Sequence, residues 1–288
     1  MDWRVERPAS ALDNVDPRLR RFWHPVALAT DPVPDAVELL GRTEHTAEGR
    51  LVRHLGLWWF APEPPAAPLP EVPEHAEAPF VAVHSPPQVW SSSAAQMADN
   101  FLDIGHIPWL HRDSFADPDD DTVPRLSPER AAHGFRASYR HRTQRLHGPG
   151  SGRRQMTLWF TAPFCVMMRL EYLDDDATIT AAFFLQPVDE EHTRLFAVNW
   201  RDDIHDGRCT PAETIAFQQQ VGAEDRHMLE QLPAKWLPLD LRCEVHTRAD
   251  ATTVEMRRTL ARVLDEATSV GATAPTTDLR TAAPPSST

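Results

Sequence analysis

The region from about residue 130 to residue 202 restricts the fold more than any other part of the chain. It contains five runs in which apolar and polar residues alternate: GFRASYRHRT, RQMTLWFTAP, CVMMRLEYL, ATITAAFFLQPV and TRLFAVNWRDD. Such alternation is typical of strands that bury one face, and short connections between the runs favour antiparallel pairing. The sequence therefore predicts an α+β protein built around an antiparallel sheet.

Helical segments flank the predicted sheet on both sides. Residues 91–111 begin with serines that are suited to an N-cap, and residues 211–232 begin with Pro211, which is favoured in a first helical turn. The proline-rich segment 61–79 predicts an extended connector. The chain from residue 268 onward has a low-complexity composition that predicts a disordered tail.

Composition limits the classes of function. The net charge of −13 argues against a nucleic-acid partner, because such domains need a basic face for phosphate contacts. No apolar run approaches the roughly 20 residues of a membrane span, and the first residues lack the apolar region of a secretory signal. We therefore expect a cytoplasmic protein with no membrane partner.

The stretch DNFLDIGHIPWLHRD (99–113) is a candidate metal-binding segment. Asp103 precedes His106 by three residues, so on a helix its carboxylate could orient the imidazole. His111 lies five residues beyond His106, about 140° around an ideal helix. Both histidines could bind one metal only if the helix bends or ends between them, which Pro108 could cause. Two histidines alone are weak evidence for a metal.

A third ligand would come from the long helix at 211–232, which offers Glu224, Asp225 and Glu230. Asp225 falls near the inward stripe if that stripe is formed by the apolar residues of the helix: Ile215, Phe217, Val221, Met228 and Leu232. Glu224 and Glu230 are predicted to lie on a solvated face. A set of two histidines and one carboxylate leaves coordination positions open and favours Fe(II) that activates O₂.

The segment NFLDIGHIPWLH (100–111) resembles the NxxDxxHxxxxH motif in the catalytic domain of Rieske non-haem iron oxygenases. The segment EDRHMLE (224–230) is similar to the late helix of that family, and the resemblance extends to residues 20–28, 56–64 and 183–203.

The resemblance implies that His106, His111 and Asp225 hold a mononuclear Fe(II). It also implies that Asn100 lies beside the metal and that Asp103 links His106 to the electron donor. The implied fold is a helix-grip domain, in which a curved antiparallel sheet wraps against a long helix.

The chain departs from the family at its electron-transfer centre. Family members hold a [2Fe–2S] cluster through CxH and CxxH motifs, whereas the three cysteines here are Cys165, Cys209 and Cys243, and none lies in such a motif. We therefore expect no [2Fe–2S] cluster in this chain. The predicted organisation is a truncated Rieske-domain remnant with its connector (1–78), a helix-grip catalytic domain (79–267) and a disordered tail (268–288).

Three functions are compatible with this pattern. The favoured one is an oxygenase component that hydroxylates or oxidatively N- or O-demethylates a small aromatic or heterocyclic substrate, with electrons delivered by a Rieske-containing subunit or reductase. The second is redox-neutral metal-dependent chemistry such as hydrolysis, ring opening or elimination. The third is a non-catalytic structural subunit of a hetero-oligomeric oxygenase. A trimer or hetero-oligomer is expected, because in this family the electron route crosses a subunit interface.

The predicted strands also supply apolar side chains, most of which we expect to be core residues. Together they suggest an apolar substrate cavity with few fixed charges. The candidates for its lining are Trp159, Phe160, Phe164, Met167, Met168, Phe183, Phe184 and Trp200.

Overall fold

The computed structural model describes residues 6–117, 119–120 and 122–271. The first part of the chain contains six short strands: β1 (Ala11–Asp13), β2 (His24–Leu28), β3 (Ala36–Leu39), β4 (Arg42–His45), β5 (Arg50–His54) and β6 (Leu57–Ala61). Strands β2, β6 and β5 pair in that order to form one small sheet, and β3 pairs with β4 in another. Short 3₁₀ helices lie at Pro17–Arg21, Thr46–Glu48 and Pro73–Ala76.

An eight-stranded antiparallel sheet forms the centre of the molecule. Its strands are β7 (Val81–His84), β8 (Gln88–Trp90), β9 (Glu129–Ala131), β10 (Gly134–Gln144), β11 (Ser151–Thr161), β12 (Cys165–Tyr172), β13 (Ala177–Pro187) and β14 (Thr193–Arg201). The order is β7-β14-β13-β12-β11-β10-β9, and β8 also pairs with β14. Each of the five alternating runs seen in the sequence forms one strand from β10 to β14, so the predicted antiparallel sheet is confirmed.

The described residues also form four α-helices, one further strand and a 3₁₀ helix: α1 (Ala94–Leu102), α2 (Ile107–Leu110), α3 (Pro211–Leu229), β15 (Trp236–Pro238), the 3₁₀ helix Leu241–Cys243 and α4 (Ala251–Gly271). Strand β15 pairs with β1, which joins the first described strand of the chain to the segment that follows α3. Helix α1 packs on β12 and β13, and α4 packs on β10 and α1. No helix in the described part of the chain is both long and apolar enough to cross a membrane.

One hydrophobic core includes residues from both sides of the domain boundary predicted at residue 79. Leu12 and Phe22 belong to the same cluster of buried side chains as Trp90, Phe101 and Leu260. The first part of the chain is therefore packed on the helices that surround the central sheet.

The segment predicted as a single helix over 91–111 is two helices. The first is capped by Ser93 and ends at Leu102, and the backbone at Asp103 is extended. Pro108 lies in the first turn of the second, one-turn helix, where a proline is favoured. The chain therefore breaks before His106 and not between the two histidines.

The buried face of α3 also differs from the prediction. Its buried residues are Thr214, Gly222, Asp225 and Leu229, whereas three of the apolar residues assigned to the inward stripe are exposed: Phe217, Met228 and Leu232. The buried positions differ because α3 approaches Trp90 closely at Gly222 and borders a cavity elsewhere. Phe217 and Val221 line that cavity without being fully buried. A Cβ atom added at Gly222 would lie 3.5 Å from the Trp90 ring.

The C-terminal boundary is also corrected, because α4 continues through residues 268–271 of the predicted tail. Leu260, Val263 and Leu264 bury an apolar stripe of this helix. The remainder of the predicted tail, residues 272–288, lies outside the described residues.

Candidate metal centre and cavity

Three potential ligand atoms converge at one point. The Nε2 atoms of His106 and His111 are 3.2 Å apart, and Asp225 Oδ1 lies 3.6 Å from the former and 3.3 Å from the latter. Among the described residues, this trio is the group of histidine, cysteine or acidic side chains able to hold a metal ion. Three atoms with these separations surround a point about 2 Å from each, which is the bond length of a divalent first-row metal to nitrogen or oxygen.

Secondary structure positions each of these side chains. His106 and His111 are the residues that flank the one-turn helix α2 at its two ends, so a single turn brings both imidazoles to the same side. Asp225 is on the buried face of α3. The preceding helix α1 is anchored by a capping box between Ser93 and Gln96, which fixes where the chain leaves it.

Two polar side chains orient the converging atoms. Asn100 Nδ2 donates a hydrogen bond of 2.9 Å to Asp225 Oδ1. His111 Nδ1 lies 2.7 Å from Glu224 Oε2, which also accepts a hydrogen bond from the Ser114 hydroxyl. A carboxylate on the second nitrogen of a ligating histidine fixes its tautomer and orientation.

Glu224 was therefore misassigned to the solvated face of the helix. Its neighbour Asp225 points at the metal position, and successive helical residues diverge by about 100°. That angle takes Glu224 away from the metal position but towards the other nitrogen of His111. The contact between Glu224 and His111 depends on where His111 lies relative to α3. The helical periodicity of the sequence does not predict that position.

The pKa of His111 reflects these contacts. Burial disfavours its charged form, but Asp225 and Glu224 outweigh burial and raise the pKa of the imidazole above its ordinary value. Two carboxylates within hydrogen-bonding distance favour a positive charge at the position of this imidazole.

Asp103 lies beside the other histidine. Its Oδ2 is 3.5 Å from His106 Nδ1, and its Oδ1 accepts a hydrogen bond of 2.7 Å from the Gly105 backbone. Burial opposes ionisation of Asp103, but His106 and the Gly105 N–H outweigh it and hold the pKa of this carboxyl below its usual range. His106 Nδ1 is buried and makes no hydrogen bond to a described residue, so the Asp103 carboxylate is its nearest charged neighbour.

Known proteins are similar to this chain in both sequence and fold. The sequence profile of the vanillate O-demethylase oxygenase C-terminal domain matches residues 90–266, more than half of the chain. The chain belongs to this family. It is an enzyme of the Rieske oxygenase type, and the resemblance predicted from its sequence motifs is confirmed.

Two curated relatives are methylxanthine demethylases. The chain is 26% identical over 251 residues to the probable methylxanthine N7-demethylase NdmC of Pseudomonas sp. (strain TJI-51). This match covers 83% of this chain and 87% of NdmC. The chain is also 25% identical over 188 residues to methylxanthine N1-demethylase NdmA of Pseudomonas putida. That match covers 65% of this chain and about half, 52%, of NdmA.

Solved structures of related oxygenases have the same fold. NdmA of Pseudomonas putida CBB5 with caffeine matches with a TM-score of 0.70 at 19% identity, covering 86% of this chain and 92% of NdmA. NdmB of the same strain matches with a TM-score of 0.69 at 16% identity, over 91% and 95% of the two chains. Dicamba monooxygenase with 3,6-dichlorosalicylic acid matches with a TM-score of 0.62 at 13% identity, over 85% and 76%.

A cavity of about 510 Å³ in the oxygenase opens onto the three converging atoms. Its floor is formed by cross-strand rows of the central sheet, in which Met156, Leu170 and Ile179 are successive neighbours. Helix α3 borders the opposite side. Of the eight apolar residues considered as candidates for the lining, Met168 and Phe183 line this cavity. The other six do not line it, because alternation directs them to the other face of the sheet or into the core.

The cavity is less apolar than the sequence suggested. Arg154 lines it, as do Asn199 and Gln218, whose side chains are 3.4 Å apart. Phe115 stacks on His111 with ring centroids 4.9 Å apart. None of these four residues was identified from the sequence, because their roles depend on which face of a strand or loop meets the cavity.

Proposed function

We propose that this oxygenase removes a methyl group oxidatively from a small aromatic or heterocyclic N- or O-methyl compound. The convergence of His106, His111 and Asp225 in the lining of one cavity carries the proposal. In the proposed reaction O₂, two electrons and two protons convert the methyl compound into the demethylated product, formaldehyde and water. The methyl group is hydroxylated first, and the hydroxymethyl product then loses formaldehyde.

The donor set supports Fe(II) as the cofactor. Two imidazoles and one carboxylate with open positions are the ligands of non-haem Fe(II) oxygenases, and the spacing of the three atoms fits one metal ion. Fe(II) held by His106, His111 and Asp225 would supply the activation of O₂. Around it, Asn100 orients Asp225, and Glu224 orients His111.

The size and lining of the cavity support the substrate class. A volume of about 510 Å³ lies within the range of cavities that bind small molecules, and apolar side chains predominate in its floor. The relatives named for methylxanthine demethylation point to the same class.

We further propose that electrons come from another polypeptide. No cysteine precedes Cys165 in the sequence, so residues 1–78 offer no thiolate for a cluster and are proposed to be a remnant of a Rieske domain. The Nε2 atoms of His24 and His54 lie 2.9 Å and 2.7 Å from backbone carbonyl oxygens, so these histidines make local structural contacts.

Asp103 is the proposed entry point for these electrons. Its side chain is 32% exposed while it lies against His106, so it joins the surface to the metal position. Trp109, in the adjacent helix α2, is 67% exposed. A Rieske-containing subunit or reductase would dock here, in a trimer or a hetero-oligomer.

The test is reconstitution of the reaction. The protein is loaded with Fe(II) and mixed with O₂, 7-methylxanthine or 4-methoxybenzoate, and a reductase that carries its own Rieske cluster. We expect formaldehyde in a one-to-one ratio with the demethylated product, and none when O₂ or the reductase is omitted. Product formation without reductant would contradict the proposal and favour redox-neutral chemistry. A protein that binds no metal would favour the structural-subunit alternative.

A further inference from the structure

Four arginines line the cavity, and three of them are neutralised by carboxylates. Arg145 pairs with Asp175 at 2.7 Å, and Arg201 pairs with Asp203 at 2.7 Å. Arg208 pairs with Asp206 at 2.7 Å. The charges of these three side chains are therefore used within the protein.

Arg154 is the exception. It is only 2% exposed, and no carboxylate of a described residue lies within ion-pair distance of its guanidinium. Its Nε donates to His141 Nε2 at 2.9 Å, and its Nη1 donates to the Tyr172 hydroxyl at 3.0 Å. Both partners are uncharged acceptors in these bonds. Nη2 makes no hydrogen bond to a described residue, although a guanidinium carries five N–H donors.

The described side chains in contact with Arg154 do not supply a negative charge. His141 accepts the Nε–H of Arg154, which requires an unprotonated ring nitrogen. Burial, followed by the charge of Arg154, lowers the pKa of His141 to about 3. The guanidinium also lies 5.3 Å from the centroid of the Phe115 ring and 5.4 Å from that of Tyr172. These rings orient the cation and compensate it only weakly.

A buried cation without a counterion is costly, and such groups are normally paired or bind a ligand. Arg154 faces the same cavity as the metal position. Phe115 lies between the two, because its ring stacks on His111 and also contacts the Arg154 guanidinium. A molecule of one or two aromatic rings could therefore reach both ends of the cavity.

We propose that Arg154 binds an anionic oxygen of the substrate and thereby orients its methyl group towards His106, His111 and Asp225. The anion would be a carboxylate on an aromatic ring or the ionised carbonyl of an acidic heterocycle such as a xanthine. The orientation of the methyl group rests on the proposed function, whereas the recognition of an anion does not. The substrate would be an acid held by a single fixed cation.

The test compares equilibrium binding of matched neutral and anionic probes by calorimetry, without turnover. One pair is 4-methoxybenzoate and 4-methoxybenzamide. The other is 7-methylxanthine, at a pH above its first ionisation, and caffeine, which has no ionisable N–H. We expect the anion of at least one pair to bind at least about tenfold more tightly than its neutral counterpart, as for a charge-assisted hydrogen bond. The pair that shows this preference identifies the source of the anionic oxygen.

Variants of adjacent arginines provide the matched control. Arg154→Gln should weaken binding of the preferred anion by about tenfold to a hundredfold and change binding of the neutral probe by less than about threefold. Arg153→Gln should leave both unchanged, because Arg153 is on the outer face of β11 and pairs with Asp174. Arg154→Lys, which keeps the charge but loses the planar fork, should have an intermediate effect.

Equal or tighter binding of the neutral probe in both pairs would overturn the inference, as would an anion preference that survives in Arg154→Gln. If Arg154→Gln does not fold, the inference is tested by comparing how the two probes of each pair bind to the unmodified protein and to Arg154→Lys. Anion binding without formaldehyde release in the reconstituted reaction would contradict the proposed function and leave this inference standing. Formaldehyde release without anion preference would support the proposed function and contradict the inference about Arg154.

Discussion

The two ends of the cavity carry side chains of opposite charge. At one end, Asp103, Glu224 and Asp225 surround two imidazoles, so carboxylates are in excess. At the other end, the hydrogen-bond partners of Arg154 among the described residues are neutral. Each end lacks the charge that the other has in excess, yet the Phe115 ring keeps them apart. The difference indicates that the acidic end is arranged for a cation and the basic end for an anion.

The sharpest way to test this division is to remove a ligand at the acidic end. Asp225→Ala should lower demethylation on the order of a thousandfold or more, because the metal position loses its only charged ligand. Metal content after loading with Fe(II), measured by mass spectrometry, should fall with it. Binding of the preferred anionic probe at Arg154 should change by no more than a few-fold. Simultaneous loss of probe binding and metal would show that the two ends are not independent.

A second substitution separates electron delivery from metal binding. Asp103→Asn keeps an oxygen that can accept from the Gly105 N–H but removes the charge beside His106, and we expect reductase-driven turnover to fall by about tenfold to a hundredfold. Hydrogen peroxide supplies both the oxygen and the electrons, so peroxide-driven formaldehyde release should be unchanged. An equal loss under both conditions would mean that Asp103 only orients His106.

The role of Glu224 concerns affinity for the metal itself. Glu224→Ala removes the partner of His111 Nδ1, and the affinity for Fe(II) should fall by about tenfold to a hundredfold. Competition with a chelator measures this change. Glu266→Ala is the matched control, because Glu266 lies on α4 and pairs with Arg262 on the same helix. Unchanged affinity in Glu224→Ala would restrict the metal-binding unit to the three converging residues.

A further effect lies outside the cavity, acts on the stability of the whole fold, and affects how activity at low pH is interpreted. Burial lowers the pKa of His24 to about 4, below the roughly 6.5 of an unfolded chain. The unfolded state therefore binds more protons, so this stabilisation is complete above pH 6.5 and is lost as the pH falls towards 4. The loss amounts to on the order of 3 kcal/mol.

Urea unfolding at several pH values measures this dependence. In His24→Leu the free energy of unfolding should fall less steeply between pH 6.5 and 4 than in the unmodified protein. Identical slopes would assign the acid sensitivity to other groups. Activity lost at low pH should be attributed to groups in the cavity only after the fraction of unfolded protein at that pH has been taken into account.

Parts of this molecule were predictable because they depend on local pattern. The alternation in β10 to β14 directly encodes which residues point to opposite faces. The spacing of His106 and His111 was weak evidence by itself, and the resemblance of residues 100–111 to the family motif singled out these two side chains. What alternation does not encode is which face meets the cavity. Residues 153 and 154 are both arginine and lie in the same strand, yet the side chain of Arg153 is 68% exposed and Arg154 is buried.

The inner face of α3 was not predictable for a related reason. Burial normally selects apolar residues, but α3 borders a cavity, so Thr214 and Asp225 are buried while Phe217 lines the cavity and remains exposed. Similarly, the break before His106 depends on the extended backbone at Asp103, which the helical composition of the segment does not reveal.

The position of Asp225 far along the chain from His111 has a consequence for the topology of the folded polypeptide. Strands β9 to β14 lie between these two residues in the sequence. An ion bound to both would close most of the central sheet into a single large loop. An ion that binds only the native state adds its binding free energy to stability. Occupancy of this position would therefore raise the free energy of unfolding by linking α2 and α3 across the sheet.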